Sequence, residues 1–105
     1  MIHIKVQYRV KKDKVEQIEK AIIELVHSIR EKERETLLYD AFQSAKDPTE
    51  FIHVMSFADN KARLFHESAS HTQKFVDILY PCCIGKPEFT TCRLINSSQG
   101  AGIRK

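Results

Sequence analysis

The first ten residues, MIHIKVQYRV, alternate apolar and polar side chains. Ile2, Ile4, Val6, Tyr8 and Val10 fall on one side, with His3, Lys5, Gln7 and Arg9 on the other. A period of two predicts a half-buried strand over Ile2 to Val10. The period then changes. Val15, Ile18, Ile22, Leu25, Val26 and Ile29 recur at three- and four-residue spacing, which predicts an amphipathic helix. Asp13 with Glu16 three residues on has the form of a capping box and places the start of that helix. The helix runs out in the charged stretch REKERE. Leu37 to Ser44 reads as a second strand and Glu50 to Ala58 as a third. Lys46, Asp47, Pro48 and Thr49 between them are turn residues, so the two strands form a hairpin. Asp59 or Asn60 caps a short helix through His66. Ser70 and Gln73 form a second capping box, opening a helix to Tyr80 that Pro81 stops. Gly85 and Pro87 mark a turn into a last strand, Glu88 to Ile95.

Strand, helix, strand, strand, helix, strand is the order of a ferredoxin-like α+β fold with an antiparallel sheet. It occupies residues 1–95 as one domain, followed by a polar tail over 96–105. An antiparallel sheet with helices on one face needs only one apolar side. The third strand departs from this: Phe51, Met55 and Phe57 lie on one side, Ile52 and Val54 on the other. In 105 residues the helices can cover one face, so a second copy of the chain is expected to cover the other, as a homodimer.

Composition narrows the function classes. The net charge of +3 comes from charges mixed in sign along the first helix, so nothing argues for a nucleic-acid partner. No apolar run approaches the roughly 18 residues of a membrane span. The N-terminus alternates where a signal peptide would be continuously apolar, so the expected location is cytoplasmic. Cys82, Cys83 and Cys92 are an odd number, expected as reduced thiols in the role of small buried hydrophobes. Only Gly85, Gly100 and Gly102 are glycine and none opens a helix, so there is no phosphate-cradling loop.

The stretch HESASH at residues 66–71 invites comparison with the zinc motif H-E-x-x-H. In that motif the histidines lie four apart on one helix face. Here His66 and His71 lie five apart, about 140° around a continuous helix at roughly 100° per residue. The capping signal at Ser70 breaks the helix between them, so His66 closes one helix and His71 opens the next. The expectation is a joint between helices and no metal.

Three stretches carry a family resemblance: the strand MIHIKVQYRV, the hairpin strand DPTEFIHVMSF, and ARLFHESASHTQKF, whose His66, Ser68, His71 and Phe75 match in order and spacing. From Met1 to about Ile95 the chain resembles an antibiotic-biosynthesis-monooxygenase domain, the dimeric α+β barrel group that includes quinol-monooxygenase-like proteins. The resemblance implies oxygenation of a small aromatic or quinol substrate by O2 with no metal, flavin or haem cofactor. Substrate deprotonation, electron transfer to oxygen and radical recombination would occur in an apolar pocket between sheet and helices. The chain departs from the family pattern in three places. Phe57 stands where members often have tryptophan, His53 where some oxygenating members have asparagine, and Ser70 where a proline usually precedes the second histidine. The haem-degrading branch of this fold fits less well: Gln7, His66 and the apolar stretch around Phe75 and Val76 occupy the places of its asparagine, tryptophan and haem-ligating histidine.

His66 is the expected catalytic base, because an imidazole titrates near neutral pH and the resemblance puts it at the pocket. As a helix-end residue it is expected to carry little packing. His53, Phe57, Phe65, His71, Phe75 and Tyr39 are the expected substrate-binding residues. The second reading is a catalytically silent dimeric module that binds a ligand or a protein.

Overall fold

The computed structural model describes residues 1–99. Strand β1 spans Ile2–Arg9, helix α1 Val15–Lys32, β2 Thr36–Gln43, β3 Glu50–Phe57, α2 Asn60–Ser68, α3 Ser70–Leu79 and β4 Glu88–Cys92. The four strands form one antiparallel sheet in the order β2-β3-β1-β4. This is the ferredoxin-like α+β arrangement.

The alternation of β1 sets the inner face. Ile4 pairs with Met55, Val6 with His53 and Tyr8 with Phe51, and these side chains share the face that the helices cover. Ile18, Ile22, Leu25 and Ile29 of α1, with Phe75 and Leu79 of α3, close over it and complete the core. Residues 82–84 then tie back to the end of β1: Lys11 N–H donates to the Cys82 carbonyl at 2.9 Å, and Ile84 N–H to the Arg9 carbonyl at 2.8 Å. Cys82 is buried, Cys83 half-buried and Cys92 exposed, so only the first acts fully as a small core hydrophobe.

Several boundaries differ from the sequence expectation. Asp13 caps nothing: a 3-10 turn over Lys12–Lys14 precedes α1, which begins without a side-chain cap. The turn satisfies the Lys14 N–H through the Lys11 carbonyl at 2.9 Å. The expected Asp59 cap is present, its carboxylate accepting from Ala62 N–H at 2.8 Å. The box at Ser70 is not formed. Ala69 is the N-cap of α3, with extended backbone, and its carbonyl accepts from the N–H groups of Thr72 and Gln73. The Gln73 amide instead donates to the Glu67 carbonyl at 2.9 Å, capping the end of α2. Strand β4 stops at Cys92 rather than Ile95, because Cys92 already pairs with His3 and β1 has one residue left to offer. Residues 100–105 of the expected tail lie outside the described residues.

One irregularity positions the site. Thr36 pairs with Phe57 but Leu38 pairs with Ser56, so Leu37 is an extra residue in β2. Continuing the first register would set Tyr39 opposite Val54, on the outer face. The bulge sets it opposite Met55 instead, on the inner face.

Candidate functional site

A cavity of about 250 Å³ lies between the inner face of the sheet and helices α2 and α3. Ile4, Tyr39, His53, Met55 and Phe57 form its sheet wall. His66, Phe75 and Leu79 form the helix wall, and Tyr80, Pro87 and Phe89 edge it. The lining is largely apolar and aromatic, with a few polar groups, as small-molecule sites usually are.

Two polar clusters meet this cavity. The first is built on Glu33, the residue that ends α1. Its side chain is 1% exposed. His66 Nδ1 lies 2.9 and 3.1 Å from its two carboxylate oxygens, and His71 Nε2 lies 2.5 Å from one of them. The Thr36 hydroxyl donates to the other oxygen at 2.5 Å. A carboxylate without donors would be costly to bury, and here three side chains supply them. Burial pushes the Glu33 carboxyl up, but the hydrogen bonds from His66, His71 and Thr36 outweigh it and hold the group below its ordinary range. An ionised carboxylate has no proton to give, so Nδ1 of His66 and Nε2 of His71 both donate. In the neutral ring this leaves Nε2 of His66 as the basic nitrogen. It makes no hydrogen bond among the described residues, and its ring lines the cavity between Tyr39 and Phe57, with centroids 5.5 and 5.4 Å away.

The second cluster surrounds His53, on β3 between β1 and β2. Its Nε2 shares a 2.7 Å hydrogen bond with the Tyr8 hydroxyl, and its Nδ1 a 2.8 Å bond with the Tyr39 hydroxyl. Burial, with some repulsion from His66, lowers the His53 pKa from 6.5 to about 4, so the ring is neutral at pH 7. Burial also pushes both phenols up, and the charge of Glu33 adds to the effect on Tyr39.

The expected residues therefore divide. Tyr39, His53, Phe57, His66 and Phe75 line one cavity. Phe65 does not: it is 55% exposed, because the residue before His66 on a helix points about 100° away. His71 is absent from the lining as well, and its ring turns to Glu33 beside a groove between α1 and α3. His66 is itself buried, so the expectation that it carries little packing does not hold. Glu67, a neighbour by sequence, pairs with Arg63 at 2.9 Å instead of with His66.

Sequence reasoning passed over Glu33, hidden in REKERE. A signal was present: Ile18, Ile22, Leu25 and Ile29 form the buried stripe of α1, and the next position on that stripe is Glu33. The break between the two histidine helices also has a consequence opposite to the one expected. It does separate His66 from His71 along the helix, but the bend at Ala69 turns both rings onto one carboxylate from α1. Glu33, His66 and His71 thus offer one carboxylate and two imidazole donors within 4.8 Å of one another, a set able to hold a divalent ion such as zinc. The Glu33 carboxylate is meanwhile satisfied by hydrogen bonds from both histidines and from Thr36.

Residues 1–78 match the antibiotic biosynthesis monooxygenase family. The chain belongs to that family. Solved structures agree in fold. An antibiotic biosynthesis monooxygenase superposes with a TM-score of 0.85 at 22% identity, over 91% of this chain and 100% of that one. A candidate antibiotic biosynthesis monooxygenase from Nitrosomonas europaea gives 0.83 at 25% identity, over 91% and 100%. A conserved protein from Methanosarcina mazei gives 0.80 at 20% identity, over 88% and 90%. No curated protein matches the chain. The residues matched to the family include the whole cavity lining except Leu79 of the helix wall and the edge at Tyr80, Pro87 and Phe89. Among the described residues no helix is long and apolar enough to cross a membrane.

Proposed function

We propose that this family member is a monooxygenase that oxidises a small aromatic or quinol substrate with O2, using neither metal, flavin nor haem. The observation that carries the reading is His66. Its ring faces an apolar cavity, and Glu33 fixes its neutral tautomer so that Nε2 can accept a proton. For a hydroquinone the chemistry balances without another reductant. His66 takes a hydroxyl proton, and the anion passes one electron to O2. The resulting radical and superoxide combine at a ring carbon to form a peroxide. Loss of water leaves a hydroxyquinone. One oxygen atom ends on the ring and one in water, and all four electrons come from the substrate. Phe57, Phe75 and Met55 would hold the ring and exclude water while the charged species exist.

The working unit in this reading is a homodimer. Ile52 and Val54 of β3 lie on the sheet face away from the helices and are half-buried in the single chain. A second copy packed on that face would cover them. Light scattering at micromolar concentration is expected to give twice 12.2 kDa. A reducing compartment, the cytoplasm, suits the three free thiols.

The test is oxygen uptake with a panel of hydroquinones, with a metal chelator present. Uptake with formation of a hydroxylated quinone supports the reading. No uptake across the panel favours a ligand-binding module. Uptake that chelator abolishes and zinc or iron restores would move the chemistry to a metal on Glu33, His66 and His71.

A further inference from the structure

The hydrogen-bond chain around His53 has a direction. Tyr8 is 4% exposed and stacks on Phe51, and among the described residues its hydroxyl has no partner except His53 Nε2. A neutral imidazole carries one proton, so one ring nitrogen donates and the other accepts. If Nε2 carried the proton, it would donate to the Tyr8 oxygen, and the Tyr8 proton would be left without an acceptor in the core. Such an orphan disfavours that arrangement by roughly tenfold or more. In the opposite arrangement the Tyr8 and His53 protons are both used. Tyr8 donates to Nε2, and Nδ1–H donates to the Tyr39 oxygen. The Tyr39 proton is then the one left over, and Tyr39 lines the cavity.

We propose that Tyr8 and His53 are positioning residues that set Tyr39 as a fixed hydroxyl donor to an oxygen atom of the substrate, so that the site selects aromatics bearing two oxygens. This rests on the reading of His66 as the base. The Tyr39 and His66 rings lie side by side, 5.5 Å between centroids, on the wall of one cavity. One oxygen of the ligand loses its proton to His66 Nε2, while a second accepts from Tyr39. A quinol, a catechol or a hydroxyquinone meets both demands, and a simple phenol meets one. The high pKa of Tyr39 keeps it a donor at neutral pH, and the low pKa of His53 keeps its ring neutral, as the chain requires. The three residues come from three adjacent strands, and the Leu37 bulge brings Tyr39 to the correct face.

Two measurements test this without relying on turnover. Nitrogen NMR of the ligand-free protein is expected to show His53 neutral with the proton on Nδ1. An Nε2–H tautomer, or a charged ring at pH 7, would overturn the relay. Binding is then compared for 2-hydroxy-1,4-naphthoquinone and 2-naphthol, which have three oxygens and one. The unaltered protein is expected to prefer the first by about tenfold, the worth of one good hydrogen bond. Tyr39→Phe should remove the preference. Tyr8→Phe should reduce it and shift the His53 tautomer, although Tyr8 does not line the cavity. Full preference in Tyr39→Phe, no preference in the unaltered protein, or binding of neither compound would defeat the proposal. An unchanged preference and tautomer in Tyr8→Phe would defeat the relay alone. Binding with the expected preference but no oxygen uptake from any hydroquinone would leave the relay standing and remove the oxygenase reading.

Discussion

His53 and His66 stand on facing walls of one cavity, and their neighbours have made them opposites. His66 faces a carboxylate, which holds a proton on Nδ1 and leaves the ring a base with one free nitrogen. His53 faces two phenols, uses both nitrogens, and is held neutral by burial. The same side chain can thus be a proton acceptor or a fixed strut, depending on whether its partner carries charge. It follows that residue type alone is a poor guide to the base; the partner of the second nitrogen decides.

The largest expected effect falls on the charged half. His66→Ala should lower turnover by roughly 10²- to 10⁴-fold, the usual worth of a general base. Because His66 is buried on Glu33, the variant should also lose about 1–3 kcal/mol of stability, measured by denaturant melting. Full activity in this variant would end the claim for His66 as base.

The neutral half is expected to show itself in acid. The folded His53 has its pKa lowered from 6.5 to about 4, so between those values the unfolded chain binds the proton and the folded chain does not. Stability should therefore fall as pH drops through that window, by about 3 kcal/mol if the full shift is expressed. In His53→Gln this slope should flatten. Glu33, whose folded pKa is lowered, should add its own loss only below about its ordinary 4.5. A melting temperature flat from pH 7 to 4.5 would contradict the description of His53.

Glu33→Gln sharpens the contrast by removing the charge while keeping the shape. Turnover should fall about tenfold, since the tautomer of His66 is then no longer fixed, and activity should depend differently on pH. An unchanged rate and pH profile would reduce Glu33 to a structural residue. The smallest effect is expected at Phe65, on the exposed side of α2. Phe65→Ser should leave turnover unchanged and stability within about 0.5 kcal/mol. A large loss of activity there would mean that the substrate approaches from the wrong side of the helix for this cavity.

Much of the fold was legible in the chain. The period-two pattern of β1, the stripe of α1 and the turn chemistry of Asp47 and Pro48 are local signals. The turn shows the expected contacts, with the Asp47 carboxylate accepting from Thr49 N–H at 3.1 Å and from its hydroxyl at 2.6 Å. Capping was less legible. Asp13 and Ser70 have suitable side chains, but neither caps: Asp13 lies inside a 3-10 turn, and Ala69 takes the N-cap position ahead of Ser70.

By itself the sequence determined the order of elements, the apolar face of each, and the histidines and aromatics that could do chemistry. Those depend on a residue and its near neighbours. Tertiary structure alone decided which of them meet. The carboxylate that orients His66 lies 33 positions away in the chain, at a helix end where a run of charges disguised it. Tyr39 reaches His53 only because one extra residue, Leu37, reverses the facing of β2. Period-two alternation cannot show such a reversal, because a bulge is defined by the partner strand and not by the strand that carries it.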